Sequence, residues 1–229
     1  MNSAILLAAG RGERFGEHRA KILAPLAGRP LVLHSLLRFQ AHPEVDEIVL
    51  VAPPGQELPW RQFMLRDVSA PKLRATVAGG RERQDSVRAG LAAASPDAEL
   101  LLIHDAARPL VPARLIAAVL RAAREHGAAV PLLAVTDTVK RVEGPRVAGT
   151  LPRGGLGLAQ TPQAFRAALY REALAAADRD GVTASDDVAL VERLGRPVAW
   201  VEGAEQNLKV TTAADLQFLE WRMQKGVEP

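Results

Sequence analysis

Short apolar runs alternate along the first half of the chain with longer segments in which apolar residues recur every three or four positions. The short runs predict β-strands over 4–8, 48–51, 73–77, 100–104 and 128–135. The longer segments predict helices over 31–40, 85–94 and 113–126, and Pro30 and Gly127 stand where helix-starting prolines and helix-ending glycines are common. This alternation of strand and helix indicates an α/β fold of three α/β/α layers around a mainly parallel sheet.

The middle of the chain departs from this alternation. Residues 137–152 contain two strand-like runs, 138–142 and 147–151, around the turn sequence Glu-Gly-Pro-Arg, and this pattern predicts a β-hairpin. Because no neighbouring helix is placed to cover it, we expect the hairpin to protrude with exposed edges and apolar side chains. Two interpretations stay open: a solvated surface hairpin, or a dimerisation arm that also reaches the partner's active site.

The last third of the chain mixes strands and helices. We expect a strand over 158–162, helices over 166–177 and 186–194, and a strand over 198–202. Lys209 is expected on a short strand within 207–212. Thr212 and Asp215 have the spacing of a capping box, with Asp in place of the preferred Glu or Gln, and they predict the start of a final amphipathic helix.

Composition narrows the class of protein. The chain has 229 residues, 48% of them hydrophobic, which is most simply one domain spanning 1–229 with 137–152 as an excursion. No apolar run reaches membrane-spanning length and no signal-peptide pattern is present, so we expect no membrane partner and no export. Zero cysteines exclude disulfides and thiolate chemistry and fit a cytoplasmic enzyme. A net charge of +3 with only 4% aromatic residues does not favour nucleic-acid binding.

A glycine-rich loop follows the first predicted strand. It combines three glycines with nearby cations: Gly10, Gly12 and Gly16, with Arg11, Arg14 and Lys21. Glycines let backbone N–H groups approach an anion closely, and the cations supply charge, so the loop is suited to phosphates. A P-loop would need Lys-Ser/Thr after Gly16, where Glu17 stands, and a dinucleotide fingerprint would need glycine in place of Phe15. The alternative is a tight strand-to-helix turn with no ligand.

Two further strand ends carry candidate chemistry. Asp105 closes a buried strand, where open α/β sheets bind ligands, and its carboxylate could bind a Mg²⁺ shared with nucleotide phosphates. The alternative is that Asp105 caps the following turn or pairs with Arg108. The segment 79–87 also follows a strand and opens a helix, so Gly80 and Ser86 are placed to read a nucleotide base; the alternative is a simple glycine turn with Asp85 or Ser86 as the helix N-cap.

Seven motifs in chain order resemble those of the 2-C-methyl-D-erythritol 4-phosphate cytidylyltransferase family. They are Ala8-Ala-Gly-Arg-Gly-Glu-Arg14, Lys21, Gly79-Gly-Arg-Glu-Arg-Gln-Asp-Ser-Val87, His104-Asp-Ala-Ala-Arg-Pro109, Asp137-Thr-Val-Lys140, Gln160-Thr-Pro-Gln163 and Asn207-Leu-Lys-Val-Thr-Thr212. The resemblance covers nearly the whole chain. It implies a Rossmann-like nucleotidyltransferase fold that transfers CMP from CTP to 2-C-methyl-D-erythritol 4-phosphate and releases pyrophosphate, in the non-mevalonate route to isoprenoids.

The resemblance also implies roles for individual residues. Catalytic roles fall to Arg14, Lys21, Arg153 and Lys209. Nucleotide binding falls to Ala8, Ala9, Gly10, Gly12, Gly80, Ser86, Asp105 and Ala106, with Asp105 also holding Mg²⁺. Binding of the acceptor substrate falls to Arg108, Thr138, Arg153, Thr161 and Lys209. Thr138 and Arg153 would come from the partner's arm, which would make the homodimer functional.

This chain departs from the family pattern at two positions. Ala20 stands where relatives commonly have proline before the catalytic lysine, which removes a fixed φ beside Lys21. Ser185 replaces the usual threonine before Asp186 and Asp187 and keeps a hydroxyl. Two other functions stay open: a cytidylyltransferase for another polyol phosphate such as ribitol 5-phosphate, and a non-catalytic nucleotide-binding regulatory module.

Overall fold

A computed structural model describes residues 1–10, 21–66 and 68–226. The strands are β1 (Asn2–Leu7), β2 (Pro25–Leu26), β3 (Arg29–Pro30), β4 (Glu47–Ala52), β5 (Leu73–Ala78), β6 (Leu100–Asp105), β7 (Ala128–Ala134), β8 (Val139–Glu143), β9 (Arg146–Leu151), β10 (Gly157–Ala159), β11 (Gln163–Arg166) and β12 (Ala199–Glu202). The helices are α1 (Leu31–Ala41), α2 (Glu57–Arg66), α3 (Arg83–Ala93), α4 (Ala113–His126), α5 (Ala167–Arg179), α6 (Asp187–Arg193) and α7 (Ala213–Gln224).

A central sheet of the order β10-β7-β11-β6-β1-β4-β5, with β12 paired to β7, organises the described residues. β1 lies between β4 and β6 and is parallel to both, β4 is parallel to β5, and β12 is parallel to β7. β10 and β11 are the antiparallel members. The predicted α/β fold with a mainly parallel, mixed sheet is therefore confirmed.

Helices cover both faces of the sheet because its central strands are apolar on both sides. In β6, Leu100 and Leu102 pack into one core cluster and Leu101 and Ile103 into the other. The first cluster takes side chains from α1, α2, α4 and α7, and the second from α3, α5 and α6. A strand that is apolar along nearly its whole length is predicted to bury side chains on both faces of its sheet, as β6 does. No helix in the described ranges is both long and apolar enough to cross a bilayer.

Two local predictions were wrong, and one helix was missed. The strand expected over 158–162 ends at Ala159 as β10, and a separate strand, β11, begins after Pro162, which has no N–H to donate to a ladder. Lys209 lies in an irregular segment before α7, not on a strand. Helix α2 was not predicted, since its apolar residues do not fall on one face: Trp60 and Met64 are buried, whereas Leu58 and Phe63 are exposed.

The predicted hairpin within 137–152 is present as β8 and β9. The two strands pair antiparallel with each other as a separate two-stranded sheet. Val142 is 66% exposed and Val147 65% exposed, which leaves apolar side chains on a protruding hairpin. We call residues 137–152 the arm.

Candidate active site

Parallel strands bring the expected loops to one edge of the sheet. β1, β4, β5 and β6 run in the same direction, so the residues after them meet at their carboxyl ends. The backbone continues the sheet at this edge: Ala8 N–H donates to the Val51 carbonyl at 2.8 Å, and Ala106 N–H donates to the Leu7 carbonyl at 3.0 Å. A Cβ at Gly79 would lie 2.2 Å from that of Ala9, so a glycine is required where the two loops touch.

The loop before α3 is shaped by its own side chains. Gly80 N–H donates to Ser86 Oγ at 3.1 Å, and Ser86 Oγ donates to the Glu82 carbonyl at 3.3 Å. Glu82 is the N-cap of α3 and forms a capping box with Asp85. Ser86 is buried one turn into the helix, so neither it nor Asp85 is the N-cap. The loop is thereby fixed beside Ala9, at the end of the sheet where a nucleotide base was expected.

Asp105 forms the centre of a charged cluster at the end of β6. Its Oδ2 accepts a hydrogen bond from Lys209 Nζ at 2.7 Å, and its Oδ1 lies 3.4 Å from Arg83 Nε. Burial raises the pKa of this carboxyl, but Lys209 and Arg83 outweigh burial and hold the pKa well below its usual range. Asp105 does not pair with the Arg108 side chain as the alternative had it, although its carbonyl accepts from Arg108 N–H at 2.9 Å.

Asp105 can serve as a magnesium ligand, although no group of three or more His, Asp or Glu gathers among the described residues. Mg²⁺ is commonly held by one or two carboxylates together with substrate phosphates and water. A single ionised carboxylate, 12% exposed at a ligand-binding strand end, meets that requirement. The residues present therefore fit a shared metal–phosphate site.

Arg83 and Asp187 were not predicted as site residues. Arg83 reaches past Asp105 to Asp187, with Nη2 2.7 Å from Asp187 Oδ2. Tyr170 OH donates to the other oxygen of Asp187 at 2.7 Å. Burial lowers the pKa of Arg83, but Asp187 and Asp105 more than offset it and raise that pKa, so the guanidinium is charged.

A buried histidine orients the backbone of Asp105. His104 Nε2 lies 3.1 Å from the Arg108 carbonyl, and its Nδ1 lies 3.1 Å from Thr161 Oγ1. Burial lowers the pKa of His104 to about 3, so the ring is neutral. A carbonyl only accepts, so Nε2 carries the proton and Nδ1 accepts from the Thr161 hydroxyl. Thr161 Oγ1 also accepts a hydrogen bond from Asp105 N–H at 3.0 Å. The hydroxyl therefore has both a donor and an acceptor partner within the protein.

Arg108 also has partners inside the protein. Its Nη1 donates to the Asn207 carbonyl at 2.8 Å, and its Nη2 lies 3.5 Å from the Ala159 carbonyl. Asn207 Nδ2 donates to the Thr161 carbonyl at 2.8 Å. These bonds tie the segment that carries Lys209 to the end of β10, which explains how Lys209 is placed without a strand.

Most of the predicted site residues in the described ranges meet at this edge of the sheet. They are Ala8, Ala9, Gly10, Gly80, Ser86, Asp105, Ala106, Arg108, Thr161 and Lys209. Lys21 begins a short 3-10 turn, Lys21–Leu23, and its carbonyl accepts from Ala24 N–H. Thr138 is exposed in the arm. Arg153 is exposed just after the arm and donates a hydrogen bond to the Thr136 carbonyl. Gly12 and Arg14 lie outside the described residues.

Comparisons with known proteins identify the family of this chain. The family model described as IspD, 2-C-methyl-D-erythritol 4-phosphate cytidylyltransferase, matches residues 3–225. The chain is 42% identical over 217 residues to the enzyme of that name from Geobacillus kaustophilus, covering 95% of this chain and 94% of the relative. It is 44% identical over 222 residues to the bifunctional enzyme IspD/IspF of Rhodospirillum rubrum, covering 95% of this chain and 56% of that protein.

Solved structures give the same result. The crystal structure of 2-C-methyl-D-erythritol 4-phosphate cytidylyltransferase from Thermus thermophilus has a TM-score of 0.79 and 39% identity, covering 96% of this chain and 98% of that chain. The 4-diphosphocytidyl-2C-methyl-D-erythritol synthase of Anaerococcus prevotii has a TM-score of 0.85 at 29% identity, covering 97% of this chain and 96% of that chain. Sequence and fold agree over nearly the full length, so the chain belongs to the IspD family of 2-C-methyl-D-erythritol 4-phosphate cytidylyltransferases.

Proposed function

We propose that this protein transfers CMP from CTP to the phosphate of 2-C-methyl-D-erythritol 4-phosphate and releases pyrophosphate, a step in making isoprenoid precursors. The observation that carries the proposal is the Asp105 cluster beside the Ala8–Gly10 and Gly79–Gly80 loops, in a chain of this family. An oxygen of the acceptor phosphate attacks the α-phosphorus of CTP, and the bond to the pyrophosphate oxygen breaks. We place this reaction in the cytoplasm, in keeping with the lack of cysteine.

The reaction demands positioning and charge stabilisation more than proton transfer. The acceptor phosphate is already anionic, so it needs no strong general base, but two anions must be brought together. We assign Lys21 and Arg14 to the charge that grows at the α-phosphate, and Lys209, beside Asp105, to the acceptor phosphate. Thr161 and Arg108 donate hydrogen bonds to acceptors within the protein. We therefore assign them chiefly to holding Asp105 and Lys209 in place.

We infer that Mg²⁺ takes part, with Asp105 as its protein ligand. The ion would neutralise phosphate charge and act as a Lewis acid at the phosphoryl group. Lys209 and Arg83 keep Asp105 ionised, because both favour the charged carboxylate. The ligand is therefore available in the form that a hard cation requires.

We further propose that the single domain 1–229 works as a homodimer joined through the arm. The arm carries apolar residues that its own two strands do not cover, and a partner would remove them from water. Thr138 and Arg153 would then serve the partner's site, where Arg153 adds a cation for the acceptor phosphate. This assigns the arm both a structural and a substrate-binding role.

Pyrophosphate release from CTP tests the proposed function. Purified protein is given CTP and Mg²⁺ with 2-C-methyl-D-erythritol 4-phosphate or, separately, with ribitol 5-phosphate. We expect release only with the first acceptor. Release with ribitol 5-phosphate alone would refute the acceptor, and CTP binding without release from either would indicate a nucleotide-binding module.

A further inference from the structure

The first turn of α3 is attached to the segment 182–187 by two side chains. Arg83 contacts Asp187, and Gln84 bonds to backbone groups within 182–184. Helix α3 follows the Gly79–Gly80 loop with Glu82 as its N-cap, so this segment holds the helix to which the loop is joined. The segment therefore contributes to the shape of the proposed nucleotide site, although it does not follow one of the strands whose ends form that site.

Of these two side chains, Arg83 also reaches Asp105. The Arg83 guanidinium is planar and rigid, so fixing Nη2 on Asp187 also fixes the direction of Nε toward Asp105. Asp187 is itself well anchored, because its side chain is 3% exposed, accepts from Tyr170 OH, and its N–H donates to Gln163 Oε1 at 3.1 Å. The Arg83 side chain is 32% exposed, whereas its partner Asp187 is buried.

We propose that Asp187 is a positioning residue for the CTP half of the site, acting through Arg83 on Asp105 and on the first turn of α3. The inference deepens the proposed function and rests on it for the identity of the ligand. Without the Asp187 carboxylate, Arg83 keeps Asp105 as its acidic partner and can turn fully toward it. That movement displaces Arg83 and engages Asp105 Oδ1, the oxygen it already faces, more closely, while Lys209 on the acceptor side keeps its bond to Oδ2.

The test compares Asp187→Asn with a matched control, Asp178→Asn. Both substitutions remove an acid that pairs with an arginine of α3, but Asp178 is exposed and its partner Arg88 also pairs with Asp85, whereas Arg83 pairs with Asp105. CTP affinity is measured by calorimetry without acceptor, and KM for each substrate by pyrophosphate release. We expect Asp187→Asn to weaken CTP binding and raise its KM about tenfold, with KM for the acceptor nearly unchanged. Asp178→Asn should stay within about twofold of the unchanged protein.

Two further variants separate positioning from stability. Asp187→Glu restores the carboxylate and should recover most of the CTP affinity. Arg83→Gln and the double variant Arg83→Gln/Asp187→Asn should bind CTP equally, because Asp187 acts through Arg83. Additive losses in the double variant, or equal rises in KM for both substrates, would overturn the proposal.

The same variants remain informative if folding or turnover fails. If Asp187→Asn does not fold, Arg83→Gln carries the test, since loss of Arg83 must then weaken CTP binding without changing acceptor KM. If the unchanged protein binds CTP but releases no pyrophosphate, the proposed function fails, while calorimetry with CTP still decides the role of Asp187.

Discussion

Replacement of Gly79 by alanine tests how closely the two nucleotide loops must approach. The new Cβ would lie 2.2 Å from Ala9 Cβ, 2.8 Å from Ser86 Oγ and 3.3 Å from Val51 Cγ1. Carbon atoms pack at about 3.5–4.0 Å, so the β1 and β5 ends must separate by about 1.5 Å. Overpacking of this kind costs about 1–3 kcal/mol in unfolding free energy. Because Ala9 belongs to the proposed phosphate loop, KM for CTP should rise as well.

Chemical denaturation and steady-state kinetics measure the two effects. Gly154→Ala is the control, since a Cβ there meets no atom within 4 Å and requires no unusual backbone. The double variant Ala9→Gly/Gly79→Ala removes the shortest contact and should recover part of both losses. The reasoning is refuted if Gly79→Ala is as stable and as active as Gly154→Ala, or if Ala9→Gly gives no recovery.

Three other predictions concern charge, pH and assembly. Lys21→Ala should lower kcat about 10²- to 10³-fold with CTP affinity nearly unchanged, and equal losses in both would exclude a transition-state role. The folded pKa of His104 is about 3, so the unfolded chain takes up this proton first as pH falls below about 6.5. The free energy of unfolding should therefore fall by about 2 kcal/mol between pH 6.5 and 4.5. The fall should be smaller in His104→Gln, and His126→Gln, at an exposed position, is the control. A chain with both Val142→Lys and Val147→Lys should sediment as a monomer and lose activity, and an active dimer would contradict the role of the arm.

Local patterns predicted most strands, most helices and the position of the loops after β1, β5 and β6. The apolar runs that became β1, β4, β5 and β6 are short and bounded by polar residues, and parallel pairing then placed their carboxyl ends together. The end of the strand expected over 158–162 could not be placed from its apolar content, because Pro162 cannot donate to a ladder and the chain starts the separate strand β11 after it. Lys209 lies at the predicted site but not on the predicted strand. Side-chain hydrogen bonds of Asn207 and Arg108 hold its segment in place instead.

Part of the site depends on pairings between distant parts of the chain. Asp105 was predictable from its position at a strand end, whereas the Arg83 contact with Asp187 joins the starts of two separate helices. An arginine and an aspartate at helix starts are common surface residues, so neither signals its role alone. The one available signal was that both lie inside segments already singled out, 79–87 and 185–187. Burial of Asp187 and its bond with Tyr170 are visible only in three dimensions.

The charges of the Asp105 cluster explain why the site needs two more segments of the chain. Asp105 and Asp187 are balanced by Lys209 and Arg83, so these four groups together carry no surplus positive charge. CTP and the acceptor phosphate bring several negative charges, and like charges must be held together for reaction. We propose that the remaining positive charge comes from the glycine-rich loop, from Arg153 and from Mg²⁺. On this reasoning the cluster fixes the geometry of the site, and the glycine-rich loop and the arm supply most of its electrostatic stabilisation.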